Sequence, residues 1–352
     1  MIPAQSPKLL NLPRLPAWPV PPAGINSILV VKPSSLGDIV HTLPSIHLLK
    51  KAWPHAKITW IVNPEFAPLL AENADLHDVF IFPRRSFGGP GGLYKLRDWL
   101  WKLSHLKPDL TLDFQGLMRS AIFSRISGAR EIHCLADAEV TPRLLSHRVV
   151  PAIRSEEHAV TRYLKLVADL GIDTSVPLDF PLPAGDKPQA GLPPRYLLLH
   201  PFSRGENKSL TDACLARLFE LLAPIPIVLV GKADADIPIP SNCINLLNKT
   251  SLSELIWLIR HAHFTVSVDS GPMHIAAAIT DRLLGIHNWT NPFLVGPYKS
   301  IAWVWKNASL VQMRDVTPEI ATGATVFGIE HVSQIAEFLK TQFAPGESPT
   351  TT

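Results

Sequence analysis

The sequence predicts an α/β protein made of two doubly wound parallel sheets with a central cleft between them, and three observations carry that prediction. Short apolar runs without polar alternation recur, each followed by a helical pattern; ILVV at 28–31, LTLDF at 110–114, YLLLH at 196–200 and FTVSV at 264–268 are the clearest. Such runs suit strands buried on both faces, as in a parallel sheet covered by crossover helices. The rhythm stops once, where Pro177, Pro181, Pro183, Pro188, Pro193 and Pro194 interrupt all apolar periodicity, and then resumes. At 352 residues, 46% of them hydrophobic, the chain is long enough for two ordinary domains with a core each.

In chain order, residues 1–26 are crossed by seven prolines, Pro3 to Pro22, which leaves no continuous apolar core for a signal peptide. An extended arm is expected there, with Leu10, Leu15 and Trp18 as its packing points. The first domain is expected over 27–176. Its opening strand, 28–31, stops in the turn 32–37 and restarts as a helix in which Ile39, Val40, Leu43, Ile46 and Leu49 repeat at three- and four-residue steps. Strands at 57–62 and 79–82 flank a short helix at 64–72. A basic, glycine-rich loop (PRRSFGGPGG, 83–92) leads into a Trp-rich amphipathic helix at 93–106. Strand 110–114 and helix 117–126 follow, then strands 131–135 and 148–150, and a helix at 158–170 with Gly171 as its stop signal. Residues 177–194 are the linker. The second domain, 195–343, has strands at 196–200, 226–230, 264–268 and 282–287, helices at 211–222, 252–262 and 272–280, and a closing helix at 332–342. Residues 344–352 are expected to be a disordered tail.

The charge balance is small, 33 Lys and Arg against 30 Asp and Glu, so no global basic field points to nucleic acid. Cys134, Cys214 and Cys243 lie far apart without CxxC spacing, which suggests neither a disulfide framework nor a zinc site and fits a reducing compartment. No apolar run approaches the roughly 18 residues needed to cross a bilayer. There is no GxxxxGK[ST] loop, no GxGxxG after a strand, no GxSxG elbow and no HExxH, which argues against an ATPase or a hydride-transfer enzyme.

Three loops at the carboxyl ends of predicted strands carry the chemistry, the edge where open α/β sheets bind ligands. In the first, Asp38 opens a helix. It is either that helix's N-cap, a role Asp fills well, or a carboxylate free to take a proton from a substrate hydroxyl. The second, VSVDSGPMHIAAA at 266–278, runs a buried strand through Asp269, Ser270 and Gly271 into a helix whose first turn carries His274. Its free amides and dipole can hold a phosphate, or Asp and Ser are plain caps of a tightly packed helix. The third, HPFSRGENKSLT at 200–211, brings Ser203, Arg204 and Lys208 to the same edge, where a lysine can neutralise a leaving diphosphate; read alone, it is also an ordinary solvated loop.

Taken in order, KPSSLGDIVHTLPSI (32–46), DFQGLMRSA (113–121), HPFSRGENK (200–208) and VDSGPMHIAAA (268–278) resemble the bacterial lipopolysaccharide heptosyltransferases, glycosyltransferase family nine, over residues 27 to about 342. The resemblance implies a GT-B fold, two Rossmann-like domains facing a central cleft. It also implies an inverting transfer of heptose from ADP-heptose to a lipopolysaccharide core or lipid A-linked acceptor. Asp38 then matches the catalytic base, with Ser35 in the same turn on the acceptor side. Ser203, Lys208, Asp269, Ser270, Gly271 and His274 match the donor-binding positions, and Arg84, Arg85, Arg119 and Arg143 the acceptor-binding ones. Two departures stand out: Ser209-Leu210 follows Lys208 where the family commonly has an aromatic or basic residue, and VTPRLLSHR (140–148) replaces the usual acceptor segment. No cofactor and no essential metal are expected, nor a nucleic-acid partner. A monomeric cytoplasmic enzyme is implied, touching the inner membrane face through Arg84, Arg85 and the 99–101 region. A nucleotide-sugar epimerase and a non-catalytic sugar-nucleotide-binding homologue are the alternatives of the same architecture.

Overall fold

The computed structural model describes residues 24–203, 208–233 and 238–344, so the Pro-rich arm up to residue 23, Arg204 and tail residues 345–352 lie outside the described residues. The first sheet is all parallel. Its strands are β1 (Ser27–Val31), β2 (Lys57–Val62), β3 (Asp78–Ile81), β4 (Leu110–Asp113), β5 (Glu131–Leu135) and β6 (Arg148–Val150), in the order β3-β2-β1-β4-β5-β6. Its helices are α1 (Leu36–Ala52), α2 (Gly92–Ser104), α3 (Met118–Ile126), α4 (Val140–Leu145) and α5 (Ala159–Ala168). As its unalternated sequence requires, β1 is buried on both faces: Ile28 and Val30 face α1 and α5, while Leu29 and Val31 face α2 and α3 through Trp99, Leu103 and Phe123.

The second sheet holds β7 (Leu197–His200), β8 (Ile227–Leu229), β9 (Cys243–Asn245), β10 (Phe264–Val268), β11 (Leu283–His287), β12 (Trp303–Lys306) and β13 (Ser309–Gln312). Their order is β13-β12-β11-β10-β7-β8-β9, with β13 antiparallel to β12 and every other pairing parallel. Helices α6 (Asp212–Leu222), α7 (Leu252–His261), α8 (Gly271–Ile279), α9 (Pro292–Val295), α10 (Pro318–Thr322) and α11 (Val332–Phe343) complete it, α11 packing Ile335 and Leu339 beside α6. Both sheets therefore reverse strand order beside their first strand, between β1 and β4 and between β7 and β10. At such a switch point successive connections leave on opposite faces and open a crevice at the carboxyl edge. This is the doubly wound α/β, GT-B arrangement expected.

Several elements differ from the sequence reading. Residues 64–70 form a 3-10 helix, where Pro68 removes a donor an α-helix would need. The segment 140–148 is α4 followed by the start of β6. Strands β9, β12 and β13 are additional; β12 and β13 make a hairpin whose two central residues, Asn307 and Ala308, have φ of 52° and 59°. That left-handed turn lacks the glycine that ordinarily announces it. All three cysteines are free and buried.

The halves share one apolar core. Ile39, Leu43 and Ile46 of α1 and Val160 and Leu164 of α5 belong to the same buried cluster as Ile256 and Ile259 of α7 and Met273, Ile275 and Ala276 of α8. Residues 177–194 carry neither helix nor strand, yet they are tied down: Arg260 donates to the carbonyls of Leu182 (2.7 Å) and Pro183 (3.1 Å), and Asn73 donates to that of Pro181 (3.2 Å).

Candidate active site

At the first switch point β1 is followed by Lys32, whose buried ammonium donates to the Phe114 carbonyl (3.2 Å) and lies 3.7 Å from Asp38. The chain then turns, and Ser35, in extended conformation, caps α1. Asp38 is thus not the N-cap. It sits at the third helical position, where its carboxylate reaches back to accept from the Ser35 amide (3.1 Å) and hydroxyl (2.7 Å). Its other oxygen accepts from the Tyr163 hydroxyl on α5 at 2.7 Å. Burial would push this carboxyl up, but the Lys32 ammonium and the bonds from Tyr163 and Ser35 outweigh it and hold Asp38 below the ordinary carboxylate range. Burial, then the Asp38 charge, drives the Tyr163 phenol well up, so it stays a donor. Burial pulls the Lys32 pKa down, opposed by Asp38 and Asp113.

The DFQG turn after β4 supports this from behind. Asp113 accepts from the amides of Gln115 and Gly116, both at 3.0 Å, and from the Ser120 hydroxyl at 2.8 Å. Burial nevertheless raises it to about 6 against those three bonds. Gln115 in turn accepts from the Ser34 amide (3.3 Å), tying the two switch-point loops together.

At the second switch point Ser270 is the N-cap of α8 and its hydroxyl lies 3.2 Å from His200 Nδ1 at the end of β7. Asp269 pairs with Lys208 at 2.8 Å, and the ammonium also lies 4.8 Å over the Trp289 ring. Burial would raise the Asp269 carboxyl, yet the imidazoles of His287 and His274 and the Lys208 ammonium hold it below the ordinary range. The Ser203 amide donates to the Ser209 hydroxyl (2.9 Å), and Leu210, the residue departing from the family pattern, is buried core.

The two turns meet. A Cβ on Gly37 would lie 2.4 Å from the His274 ring, and one on Gly271 would lie 2.6 Å from the Leu36 side chain. Each helix thus has a glycine where the other comes closest, and the N-termini of α1 and α8, both positive dipole ends, converge on one place. His41 on α1 spans the junction, its Nε2 3.0 Å from His274 Nδ1, while His274 Nε2 lies 4.0 Å from Asp269. His158 at the start of α5 reaches across to the Gly296 carbonyl (3.1 Å). Burial lowers all three imidazoles, His158 to about 4.

The four arginines expected on the acceptor side are spread further. Arg84 and Arg85 lie in a 3-10 turn just past β3, at the carboxyl edge. Arg119, on α3, lies 5.3 Å over the Phe82 ring, and burial followed by the Arg84 charge lowers its pKa. Arg143 is on α4, its Nε buried without a hydrogen-bond partner among the described residues. Of the 99–101 pair, Trp99 is buried and donates to the Ile81 carbonyl (2.7 Å); only Trp101 is exposed. Sequence reasoning missed Lys32, Tyr163, His41 and His200. Lys32 heads the very motif that holds Asp38 and could have been found; Tyr163 is 125 residues from Asp38 and gives no local sign of the contact. Among the described residues no group of three or more His, Cys, Asp or Glu is arranged to hold a metal ion.

A family model described as glycosyltransferase family 9 (heptosyltransferase) matches residues 100–319. Lipopolysaccharide heptosyltransferase 1 of Pseudomonas aeruginosa is 27% identical over 298 residues, covering 77% of this chain and 81% of that protein. Lipopolysaccharide heptosyltransferase 1 of Salmonella typhimurium is 25% identical over 312 residues, covering 77% and 91%. Among solved structures, the E. coli heptosyltransferase WaaC with ADP superposes with a TM-score of 0.69 at 23% identity, over 90% of this chain and 99% of that one. E. coli heptosyltransferase II superposes with a TM-score of 0.70 at 19% identity, over 90% and 98%. The family match begins C-terminal to Asp38, so the reading of that carboxylate stands on its geometry.

Proposed function

The chain belongs to glycosyltransferase family 9, the heptosyltransferases, and from that premise we propose that it moves a heptose from ADP-heptose to a lipopolysaccharide core acceptor by direct displacement, with Asp38 as the base. The observation that carries this is the pairing across the cleft: an ionised carboxylate at the first switch point opposite a lysine and a helix N-terminus at the second. Residues 27–176 would bind the acceptor and 195–343 the donor.

The acceptor oxygen attacks the anomeric carbon, the bond from that carbon to the diphosphate breaks, and the hydroxyl proton passes to Asp38. ADP leaves from the opposite face, so configuration inverts and one carboxylate suffices where a retaining hydrolase needs two. Asp38 is a weak base as held. That is enough in a concerted step, because the attacking hydroxyl becomes acidic as its new bond forms. Charge growing on the diphosphate would be met by Lys208 and by the amides of the first turn of α8, with Ser270 and Gly271 supplying the turn that exposes them. Asp269 would keep Lys208 aimed, Ser203 would support the Lys208 loop, and His274 would be fixed by His41 beside the donor. Ser35 would orient Asp38, and the cations Arg84, Arg85 and Arg119 would face an anionic acceptor, with Arg143 at its margin. An acceptor anchored in lipid would bring a cytoplasmic enzyme to the inner membrane face.

Asp38→Asn keeps the side-chain volume and removes the base. Transfer from ADP-heptose to a core acceptor, followed by product analysis, should fall by about 10²- to 10⁴-fold with unfolding temperature preserved. Near wild-type turnover by a folded Asp38→Asn protein would refute the assignment.

A further inference from the structure

One turn of the second domain carries an exposed indole that none of the roles above employs. Two residues beyond β11, Trp289 is 60% exposed. Its neighbours in the turn are directed inward and tied down. Asn288 is buried, its side chain accepting from the Phe327 amide at 3.0 Å and its carbonyl from the buried Lys306 ammonium. His287 Nδ1 lies 3.0 Å from the Thr290 hydroxyl, and Asn291 caps α9 by accepting from the Phe293 amide at 2.9 Å. A single exposed aromatic residue needs no explanation by itself. One that stands on a backbone fixed on both sides has a position set by the fold.

That position is the carboxyl edge of the second sheet, beside the anion site. Strand β11 pairs in parallel with β10, Val268 opposite Ile286, and the Asp269 amide donates to the Ile286 carbonyl at 3.0 Å. The turn after β11 therefore stands next to the turn that opens α8. The Lys208 ammonium joins the two, 2.8 Å from Asp269 and 4.8 Å over the Trp289 ring. An indole under the cation that would meet a diphosphate lies next to a group joined to that diphosphate.

A nucleotide sugar has two such groups, the sugar and the nucleoside, and the connection from β11 to β12 separates them. It touches the first domain: the Gly296 carbonyl lies 3.1 Å from His158 Nε2, and the Tyr298 ring 5.0 Å from that imidazole. His158 is the N-cap of α5, the helix whose Tyr163 donates to Asp38. In a direct displacement the anomeric carbon has to lie between an acceptor oxygen at Asp38 and the diphosphate at Lys208. The sugar would thus occupy the side of the anion site that this connection borders. The face of an indole is electron-rich, as its contact with the Lys208 ammonium shows, and it suits the C–H face of a sugar ring, leaving the hydroxyls at the edge for polar partners.

We propose that Trp289 is the platform on which the donor's sugar ring rests, a contact that sets how the anomeric carbon is presented to the acceptor. This rests on the reading of a nucleotide-sugar donor and names what holds the sugar it transfers.

The test is isothermal titration calorimetry of the full chain, without acceptor, against ADP, ADP-heptose and ADP-glucose. It is run beside transfer from ADP-heptose to a core acceptor and thermal unfolding. Whatever Trp289 does for Lys208 acts on the diphosphate and weakens all three ligands alike, whereas the sugar contact acts only on the two nucleotide sugars. Trp289→Ala should therefore raise the Kd for ADP-heptose about tenfold more than the Kd for ADP. Trp289→Phe, which keeps a ring face, should recover most of that difference, and both variants should keep the wild-type unfolding temperature. Should Trp289→Ala fail to fold, Trp289→Leu, apolar but without a ring face, takes its place with the same expectation. Equal weakening of ADP and ADP-heptose would overturn the proposal and give the indole to the lysine or the adenine; no weakening of either would overturn it too. Selective loss of ADP-glucose from a protein that neither binds nor transfers heptose would support the platform and sink the heptosyl reading. Heptose transfer with a Kd difference indifferent to Trp289 would do the reverse, and a wild type that binds no nucleotide sugar overturns both.

Discussion

Each half of the molecule sets a lysine–aspartate pair at the switch point of its sheet, and the two pairs are turned opposite ways. At the first, Lys32 is locked inside, its side chain 4% exposed, while Asp38 at 34% faces the cleft. At the second, Asp269 is the buried partner at 6% and Lys208 the more exposed at 21%. One scaffold thus offers a carboxylate from one side and an ammonium from the other. The buried member of each pair sets the charge state and aim of the exposed one: Lys32 keeps Asp38 ionised, and Asp269 holds Lys208. A base and an anion site come from the same architecture by exchanging which partner is buried.

The largest test of that contrast removes the exposed cation. Lys208→Ala should lower kcat/KM for the sugar-nucleotide donor by about 10²- to 10³-fold, the usual effect of deleting one group that stabilises a developing anion. Unchanged donor kinetics would mean that the second pair is only a structural ion pair. Closing the gap between the turns comes next: Gly37→Val puts a side chain where His274 now lies, so the helix ends must separate. Activity should fall by about 10- to 100-fold, since small displacements of reacting groups are costly, while far-ultraviolet circular dichroism stays the same. Wild-type turnover by Gly37→Val would show that the close approach of α1 and α8 does not matter to the chemistry.

A smaller effect is expected at the support of Asp38. Tyr163→Phe removes one of the bonds that hold its carboxyl below the ordinary range, so the folded-state pKa should rise toward that range. The ionised form is the active one; the acidic limb of kcat/KM should therefore move to higher pH, with about a tenfold loss at neutral pH. An unmoved limb would assign it to another group. The smallest effect is on stability. Asp113 is raised to about 6 in the fold, so the native state binds more protons than the unfolded chain between the ordinary aspartate value and 6. Wild-type stability should accordingly fall across that window as pH rises. Asp113→Asn, which keeps an acceptor for the Gln115 and Gly116 amides, should gain relative to wild type by on the order of 2 kcal/mol, levelling off above pH 6. Denaturant titrations of both proteins from pH 4 to pH 8 would read it, and a difference independent of pH would mean that the buried charge is compensated elsewhere.

Much of this was legible in the order of residues. Apolar runs without alternation, each followed by a helical repeat, imply parallel strands and crossovers, and crossovers bring successive turns to one edge of a sheet. Asp38, Lys208 and the 269–274 turn could therefore be assigned to carboxyl edges from the chain alone. Strands β9, β12 and β13 were not legible: β9 is the short run Cys-Ile-Asn with no apolar block to mark it, and β12 and β13 are joined by a turn without glycine. Tyr163 on Asp38 and His41 on His274 were not legible either, since those partners lie 125 and 233 residues apart in sequence. The sequence by itself determined that two lysines and two aspartates would stand at the edges of two sheets. Which of each pair faces the cleft was decided only in three dimensions, because burial is imposed by neighbours, such as Phe114 and Trp60 against Lys32, that the chain brings in from far away.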